Sequence, residues 1–411
     1  MTAPRPAHAP QTLFPNLDGC LQVGGVALTR LAARVGRTPF YAYDRALLDA
    51  RVAQLRAALP SALRLHYSIK ANPMPALVQH MAALVDGLDV ASAGELAVAL
   101  DTGVAPEDVS FAGPGKLEAE LVQAIAAGVC VNVESQREID ACARIGDALG
   151  IVPLVALRVN PGFELKSSGM RMGGGAKPFG IDEELVPQAL RSAAALGLRL
   201  AGLHIFSGSQ SLKAEAIIEA HAASIALARR LCGEAQVALP RLNMGAGLGI
   251  PYFPGDVALD LAPIGAALAV ALDALAAASP ETVCALEMGR YLVGEAGVYV
   301  ARVIERKLSR GEVFLVTDGG LHHHLAASGN FGQVIRKNYP VVIGNRLDAV
   351  ERERATVVGP LCTPLDMLAE RAELARAEPG DLVVVFQSGA YGISASPAAF
   401  LGHPPAREVL V

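Results

Sequence analysis

The stretch RLHYSIKANPMP, residues 64–75, reads as a short β-strand that runs into a lysine and is then stopped by Asn-Pro. Apolar and polar side chains alternate up to Lys70, as they do in a strand, and Pro73 disfavours its continuation. A solvated lysine is the ordinary occupant of such a position. Lys70 therefore indicates a functional site only if other reactive residues accompany it.

Seven further strand-like runs follow the first one, each separated from the next by an amphipathic helical run. Continuous apolar strands that alternate with helices are typical of parallel strands covered by helices on the outside. Eight such units predict an α/β fold built on a (β/α)8 TIM-type barrel. The eight predicted strands span residues 63–70, 87–92, 109–114, 129–135, 155–161, 200–207, 241–247 and 283–289.

The pattern changes near residue 290, where β-rich segments separated by Gly and Pro turns replace the alternation. These segments predict a second, C-terminal β-rich domain, joined by an N-terminal strand around residues 21–28. We therefore expect a leader and joining strand over residues 1–37, the barrel over residues 38–289 and the β-rich domain over residues 290–411.

Charge and hydropathy exclude several classes of partner. The 411 residues include 35 Lys and Arg against 40 Asp and Glu, a net charge of −5, with no basic block for nucleic acid or an anionic membrane. The Ala-rich run at residues 264–278 is too short for a membrane span. The charge therefore favours a small-molecule partner. The N-terminal residues contain no apolar signal core and the six cysteines follow no disulfide spacing, so the expected compartment is the reducing cytoplasm.

Several reactive residues follow the predicted barrel strands. Enzymes with this barrel carry their chemistry at the C-terminal ends of the strands, where Lys70, Asp89, Arg158, Glu287 and the GAGLG loop (245–249) are all expected. A lysine amine can form a Schiff base with an aldehyde, and small residues let backbone N–H groups approach a phosphate. Pyridoxal 5′-phosphate (PLP) has both groups, although a glycine cluster after a strand is by itself more often a tight turn than an anion site.

A set of short motifs resembles one enzyme family over roughly residues 20–400. YSIKAN, GLDVASAGEL, RVNP, GSQ, GAGLG, EMGR, GPLC and GAYG stand in the order found in the fold-type III PLP-dependent amino-acid decarboxylases, which include ornithine, arginine and diaminopimelate decarboxylases. The stretches GMRMGGGAKPFGID and GAYGISASPAAFLGHP further resemble members associated with exosortase and exopolysaccharide gene clusters, and relatives that act on carrier-bound amino acids.

The resemblance implies a role for each matching residue. Lys70 would hold PLP through a Schiff base, and Glu287 would keep the pyridine nitrogen protonated. Cys362 would protonate the carbanion in the partner subunit's site, which implies a head-to-tail homodimer with shared sites. Taken singly, these residues also fit surface ion pairs, buried hydroxyls or an inert thiol. The other implied cofactor-binding residues are Asp89, Arg158, Phe206, Ser209, Gly247, Gly289, Arg290 and Tyr391.

The ring-stacking position departs from the family pattern. The family places a histidine two residues before Gly-Ser in this loop, whereas this chain has Phe206, with His204 two residues earlier. An aromatic ring can still stack on the cofactor, but phenylalanine exchanges no protons. The sequence leaves open which of the two rings stacks.

The substrate end of the site also departs from the family. Thr363 follows Cys362 where relatives carry Glu or Asp, and LHHHLAASGNF (321–331) replaces their Arg-Pro-Ala-Leu-Tyr stretch. Without these charged groups, the charged far end of the usual substrates would be left unpaired. We therefore expect a substrate that is neither free diaminopimelate nor free ornithine. Asp366 is the residue that would supply a missing charge. The expected substrate residues are Thr363, Asp366 and Arg290.

We therefore predict a PLP-dependent decarboxylase of an amino acid or an amino-acyl conjugate. A fold-type III racemase is an alternative, but it places an arginine at the pyridine nitrogen, where this chain has Glu287. A second alternative is a non-catalytic PLP-binding protein that has the barrel but no β-rich domain. This chain differs from such proteins because it continues beyond residue 290 and carries Cys362 there. No metal is predicted, because His322, His323 and His324 on a strand would point to opposite faces.

Overall fold

The computed structural model describes residues 7–167, 169–333 and 335–411. Within these residues the chain forms two compact units. The barrel unit comprises Arg51–Ile250 and Leu259–Gly289, and the second unit comprises the described part of Met1–Ala50, Pro251–Ala258 and Arg290–Val411. None of the helices in the described ranges is long and apolar enough to cross a membrane.

Eight parallel strands close into a barrel within the described part of the first unit. Each strand pairs with the next one along the chain, and the eighth pairs with the first. The prediction of a (β/α)8 barrel with a separate β-rich domain is confirmed. The strands are β1 (Arg64–Ser68), β2 (Gly87–Val90), β3 (Val109–Phe111), β4 (Cys130–Val133), β5 (Leu154–Asn160), β6 (Arg199–Ile205), β7 (Arg241–Asn243) and β8 (Val283–Met288).

A helix lies between each strand and the next. Because helices cover the outside of the barrel, strands such as β5 are buried along their whole length. Ser92 and Ser135 begin two of these helices, their side chains accepting hydrogen bonds from the backbone N–H groups three residues later. After Arg45–Ala58, which precedes β1, the helices are Pro75–Ala82, Ala93–Leu100, Glu118–Ala127, Gln136–Leu149, Val186–Ala195, Ala214–Ala235 and Ala262–Ala278.

Lys70 lies on a turn and not on the strand tip that the sequence predicted. Strand β1 ends at Ser68, and Ile69–Ala71 form a 3-10 turn. The turn is closed by a hydrogen bond of 2.9 Å from the Asn72 N–H to the Ile69 carbonyl. The predicted strand extends two residues too far because the turn begins with an apolar residue, Ile69, which continues the alternation. Alternation alone therefore does not show where the backbone bends.

The second unit is built around the long strand Gly297–Ser309, which pairs with Phe40–Tyr43, Glu312–Thr317 and Leu382–Val385. Phe40–Tyr43, which the sequence assigned to the barrel domain, is fully buried and makes its strand pairings in this unit. The remaining elements are strands Asn16–Leu17, Cys20–Val23, Val26–Ala27, Val341–Ile343, Arg352–Val358, Met367–Ala375 and Arg407–Leu410, with helices Leu28–Val35 and Arg290–Val293.

The three consecutive histidines lie in a turn, so their assignment to a strand was wrong. The backbone N–H groups of His323 and His324 both donate to the Gly320 carbonyl, at 2.9 and 3.0 Å. The strand before them ends at Thr317, whose hydroxyl donates to the Gly319 carbonyl and turns the chain. Across the described ranges, no group of His, Cys, Asp or Glu side chains has the arrangement of a metal site.

Candidate active site

A cavity of about 240 Å³ opens at the C-terminal mouth of the barrel. Five of the residues that the sequence predicted for the site line this cavity. Each lies on one of the strands β1, β2, β5, β6 and β8 or within two residues of its C-terminal end. They are Lys70, Asp89, Arg158, Phe206 and Glu287. The same cavity is also lined by His204, Ser68, Phe179 and Gly113.

Glu287, on β8, is buried and stays ionised. The Ser68 hydroxyl donates to its Oε1 at 2.9 Å, and Lys70 Nζ lies 3.5 Å from the same oxygen. His204 Nε2 lies 3.0 Å from Oε2, within ion-pair distance, although Oε2 accepts no hydrogen bond. Burial by itself raises the pKa of Glu287, but Lys70, His204 and Ser68 outweigh burial and hold that pKa well below its usual range.

Phe206 and His204 occupy different parts of the cavity. The centroid of the Phe206 ring lies 5.4 Å from Lys70 Nζ. His204 lies against Glu287 instead, with its ring centroid 6.4 Å from that of Phe206. Of the two rings, Phe206 is therefore the one placed beside the lysine, and His204 is engaged with the carboxylate.

Asp89, on β2, is held by a polar network inside the barrel that the sequence did not reveal. The Ser110 hydroxyl donates to Asp89 Oδ1 at 2.7 Å, and the Asn132 amide donates in turn to the Ser110 hydroxyl at 2.8 Å. His66 Nδ1 lies 3.5 Å from the other oxygen. These partners lie on β1, β3 and β4, so the side-by-side pairing of consecutive strands brings them to Asp89.

Three of the predicted cofactor-binding residues of the barrel unit, Ser209, Gly247 and Gly289, lie in closely packed loops. A Cβ on Gly247, whose φ is +78°, would come within 2.9 Å of the Leu165 side chain. A Cβ on Gly289 would come within 2.7 Å of the Ala71 Cβ. Ser209 pairs with Met170 in a short antiparallel ladder. Packing within the chain accounts for both glycines, so their presence alone does not identify a phosphate site.

Two further predicted residues, Arg290 and Tyr391, are neighbours in the second unit. The Arg290 guanidinium lies 4.5 Å from the centroid of the Tyr391 ring and donates a hydrogen bond of 3.0 Å to the Tyr252 hydroxyl. Tyr252 was not anticipated from the sequence, because it lies in Pro251–Ala258, a segment inserted between β7 and β8 that belongs to the second unit. Their part in cofactor binding stays a prediction.

The loop that carries Cys362 and Thr363 is held by Asp366. Cys362 is exposed, whereas Asp366 is 2% exposed. One Asp366 oxygen accepts the Leu321 N–H at 2.6 Å and the other accepts the Leu361 N–H at 2.8 Å. Because both oxygens already accept backbone N–H groups and the side chain is buried, the contacts of Asp366 are those of a residue that shapes the loop. These contacts do not support its predicted substrate-binding role.

The chemistry of the cavity fits PLP. Glu287 Oε2 is buried without a hydrogen-bond partner, and a carboxylate oxygen in that state needs an N–H donor such as a protonated pyridine nitrogen. The Lys70 side chain, 44% exposed, presents its amine at the mouth, and Phe206 offers a flat apolar surface. These are the residues that would meet the nitrogen, the aldehyde and a ring face of the cofactor.

Comparison with known proteins gives consistent similarities. The family model for the pyridoxal-binding domain of pyridoxal-dependent decarboxylases matches residues 45–294. The chain is 38% identical to the L-glutamyl-[BtrI acyl-carrier protein] decarboxylase of Niallia circulans, over 93% of this chain and 90% of that protein. It is 33% identical to the diaminopimelate decarboxylase of Aquifex aeolicus, over 96% and 91%. The crystal structure of diaminopimelate decarboxylase from M. jannaschii with L-lysine has a TM-score of 0.88 at 25% identity, covering 97% of this chain and 92% of that one.

Proposed function

The chain belongs to the pyridoxal-dependent decarboxylase family, and on that basis we propose that it removes CO₂ from an amino-acyl substrate whose far end carries no charge. PLP is its cofactor, and its reaction class is that of a carboxy-lyase. The observation that carries the proposal is the meeting of Lys70 and the buried, ionised Glu287 in one cavity at the barrel mouth.

Glu287 favours decarboxylation over racemisation. When bound, PLP supplies an electron sink for the pair of electrons left on Cα as CO₂ departs. An ionised carboxylate at the pyridine nitrogen maintains the full strength of that sink, whereas the arginine of a racemase limits it. Ser68 and His204 support the charge and position of Glu287, and Lys70 provides the amine that holds the cofactor.

Absorbance spectroscopy tests the cofactor site. Purified protein with added PLP should show the visible absorbance band of lysine-bound cofactor, and Lys70→Ala should lose it. Lys166→Ala is the matched control, because Lys166 is an exposed lysine of the barrel unit that pairs with Glu219 and does not line the cavity. A band that survives in Lys70→Ala would contradict the assignment.

We propose that Cys362 donates the proton that replaces CO₂ on Cα, acting in the site of a second copy of the chain. The thiol is exposed, as a residue that reaches another subunit must be before assembly. Mixing Lys70→Ala with Cys362→Ala subunits should then restore about a quarter of wild-type activity, since half of randomly formed dimers carry one intact site of two. Mixtures that stay inactive would refute the shared site.

The substrate proposal rests on Thr363. A hydroxyl next to Cys362 forms hydrogen bonds but neutralises no distal ammonium, and Asp366 is already bound to the backbone. The relative from Niallia circulans is named for a carrier-bound glutamyl substrate, which supports an uncharged far end. A CO₂-release screen should favour carrier-protein thioesters over free lysine, ornithine and meso-diaminopimelate, and Thr363→Glu should raise kcat/KM for a free diamino acid. Ordinary wild-type turnover of a free diamino acid would refute the neutral pocket.

We further propose that the enzyme works in the cytoplasm, in a pathway of exopolysaccharide synthesis. The support for the pathway is the sequence resemblance of GMRMGGGAKPFGID and GAYGISASPAAFLGHP. An exposed catalytic thiol at Cys362 also requires a reducing compartment to persist as a thiol. Loss of exopolysaccharide in a deletion strain, with recovery by the wild-type gene and not by Lys70→Ala, tests the pathway.

A further inference from the structure

Glu134, which directly follows β4, ties together three parts of the barrel mouth. Its side chain is 3% exposed. Oε1 accepts the Gly113 N–H at 2.6 Å and Arg158 Nη1 at 2.8 Å, and Oε2 accepts the Gly180 N–H at 2.9 Å. One carboxylate therefore joins the loop after β3, the loop after β5 and the guanidinium that lines the cavity.

The buried ion pair of Lys116 and Glu138 holds the backbone of Glu134 in place. The Glu134 N–H donates to Glu138 Oε2 at 2.9 Å, and Lys116 Nζ donates to the same oxygen at 3.1 Å. Lys116 Nζ also donates to the carbonyls of Gly113 and Asn132, both at 2.7 Å. The Lys116 and Glu138 side chains are 2% and 1% exposed. With this support the Glu134 backbone has little freedom to move.

The Glu134 charge is matched to Arg158. Burial by itself raises the pKa of Glu134, but Arg158 and the Gly180 N–H outweigh burial and lower it, so the carboxylate is ionised. The Arg158 side chain is 9% exposed, and its guanidinium lies 5.2 Å from the Phe179 ring. A cation buried to this degree needs a fixed counter-ion to stay in place.

We propose that Glu134 is a positioning residue of the cofactor site. It holds the Arg158 guanidinium and the loops at Gly113 and Gly180 in the arrangement that receives the cofactor ring, so the cavity is formed before PLP arrives. This inference rests on the proposed placement of PLP in this cavity, and it concerns binding rather than the chemical step.

Titration of the cofactor-free protein with PLP tests the proposal. Glu134→Gln removes the charge and nearly preserves the shape, and it should weaken PLP binding about tenfold to hundredfold, the effect of losing hydrogen bonds to a charged group. Glu183→Gln is the matched control. Glu183 likewise accepts a loop N–H, from Gly162 at 2.7 Å, and an arginine, Arg230 at 2.8 Å, but neither Gly162 nor Arg230 lines the cavity, whereas Gly113 and Arg158 do. Its PLP affinity should equal that of wild type.

A double-mutant comparison separates positioning from general structure. Arg158→Met removes the charged group that Glu134 holds, so the part of the Glu134→Gln effect that acts through Arg158 should be absent from the double variant, and its loss of PLP affinity should be smaller than the product of the two single losses. Effects that multiply would overturn the proposal, as would wild-type affinity in Glu134→Gln. If Glu134→Gln does not fold, Glu134→Asp keeps the charge but is one methylene too short, and it should show the same weakening. Wild-type protein that binds no PLP would instead refute the proposed function.

Discussion

Replacing Gly245 with alanine tests whether the backbone behind Phe206 sets the position of its ring. Gly245 follows β7 with φ of +61°, and a Cβ there would lie 2.8 Å from Phe206 Cδ2 and 3.3 Å from Cε2. Both distances are shorter than van der Waals contact, so the ring must move off Gly245. Because Phe206 lies 5.4 Å from Lys70 Nζ, that movement alters the cavity.

The expected loss of stability in Gly245→Ala has two parts. The left-handed backbone costs an alanine about 1–2 kcal/mol, and overpacking against the ring adds about 1–3 kcal/mol. Gly103→Ala is the matched control in the same unit, since Gly103 has φ of +78° and a Cβ there would meet no heavy atom within 4 Å. Only the first part applies to Gly103, so the two variants should differ by about 1–3 kcal/mol in the free energy of unfolding.

Urea unfolding and PLP titration of both variants measure this difference. Gly245→Ala should bind PLP more weakly than wild type, and Gly103→Ala should bind it normally. A second substitution, Phe206→Leu, should recover part of the stability lost in Gly245→Ala, because a smaller side chain relieves the contact. Equal losses of stability in Gly245→Ala and Gly103→Ala, with equal PLP affinity, would refute the reasoning.

Three further predictions concern buried ionisable side chains. Lys116→Met leaves Glu138 buried without its counter-ion and should cost about 3–5 kcal/mol in urea unfolding, part of which Glu138→Gln should restore. Asp366→Asn replaces one of the two side-chain oxygens that accept backbone N–H groups and hold the Cys362 loop, so CO₂ release should fall while PLP absorbance is unchanged. Burial lowers the pKa of His221 from about 6.5 to about 4. The unfolded chain therefore binds the proton first, and stability should fall by up to about 1.4 kcal/mol per pH unit between pH 6.5 and 4, less steeply in His221→Gln.

The barrel was predictable because its strands are covered on both sides. Most of the strands read as predominantly apolar runs, and the helical runs between them keep them apart, so the number and order of strands follow from the sequence. The errors occur where the backbone turns. The 3-10 turn at Ile69–Ala71 and the turn at His322–His324 depend on backbone hydrogen bonds that hydrophobic periodicity does not register.

The placement of side chains at the barrel mouth was predictable to a similar extent. Lys70, Asp89 and Glu287 follow from the rule that chemistry lies at the C-terminal ends of strands. The same rule would also have pointed to Glu134, directly after β4. The hydrogen-bond network around Glu134 could not be predicted from the sequence. Lys116 and Glu138 come from a loop and a helix that are separated along the chain, and no local sequence pattern indicates that they pair.

Glu134 and Glu287, two buried carboxylates at the barrel mouth, differ in the hydrogen-bond donors that they still require. Both oxygens of Glu134 accept hydrogen bonds from the chain itself, so that site is complete before any ligand binds. Glu287 uses one oxygen for Ser68 and Lys70, and its second oxygen lies 3.0 Å from His204 Nε2 but is buried without a hydrogen bond. A buried anion with an unsatisfied oxygen is destabilising until a donor reaches it. The demand for an N–H donor is therefore concentrated at Glu287, while Glu134 holds Gly113 and Arg158 of the cavity lining in place, and under the proposed placement of PLP this division would let the cavity select a protonated pyridine ring.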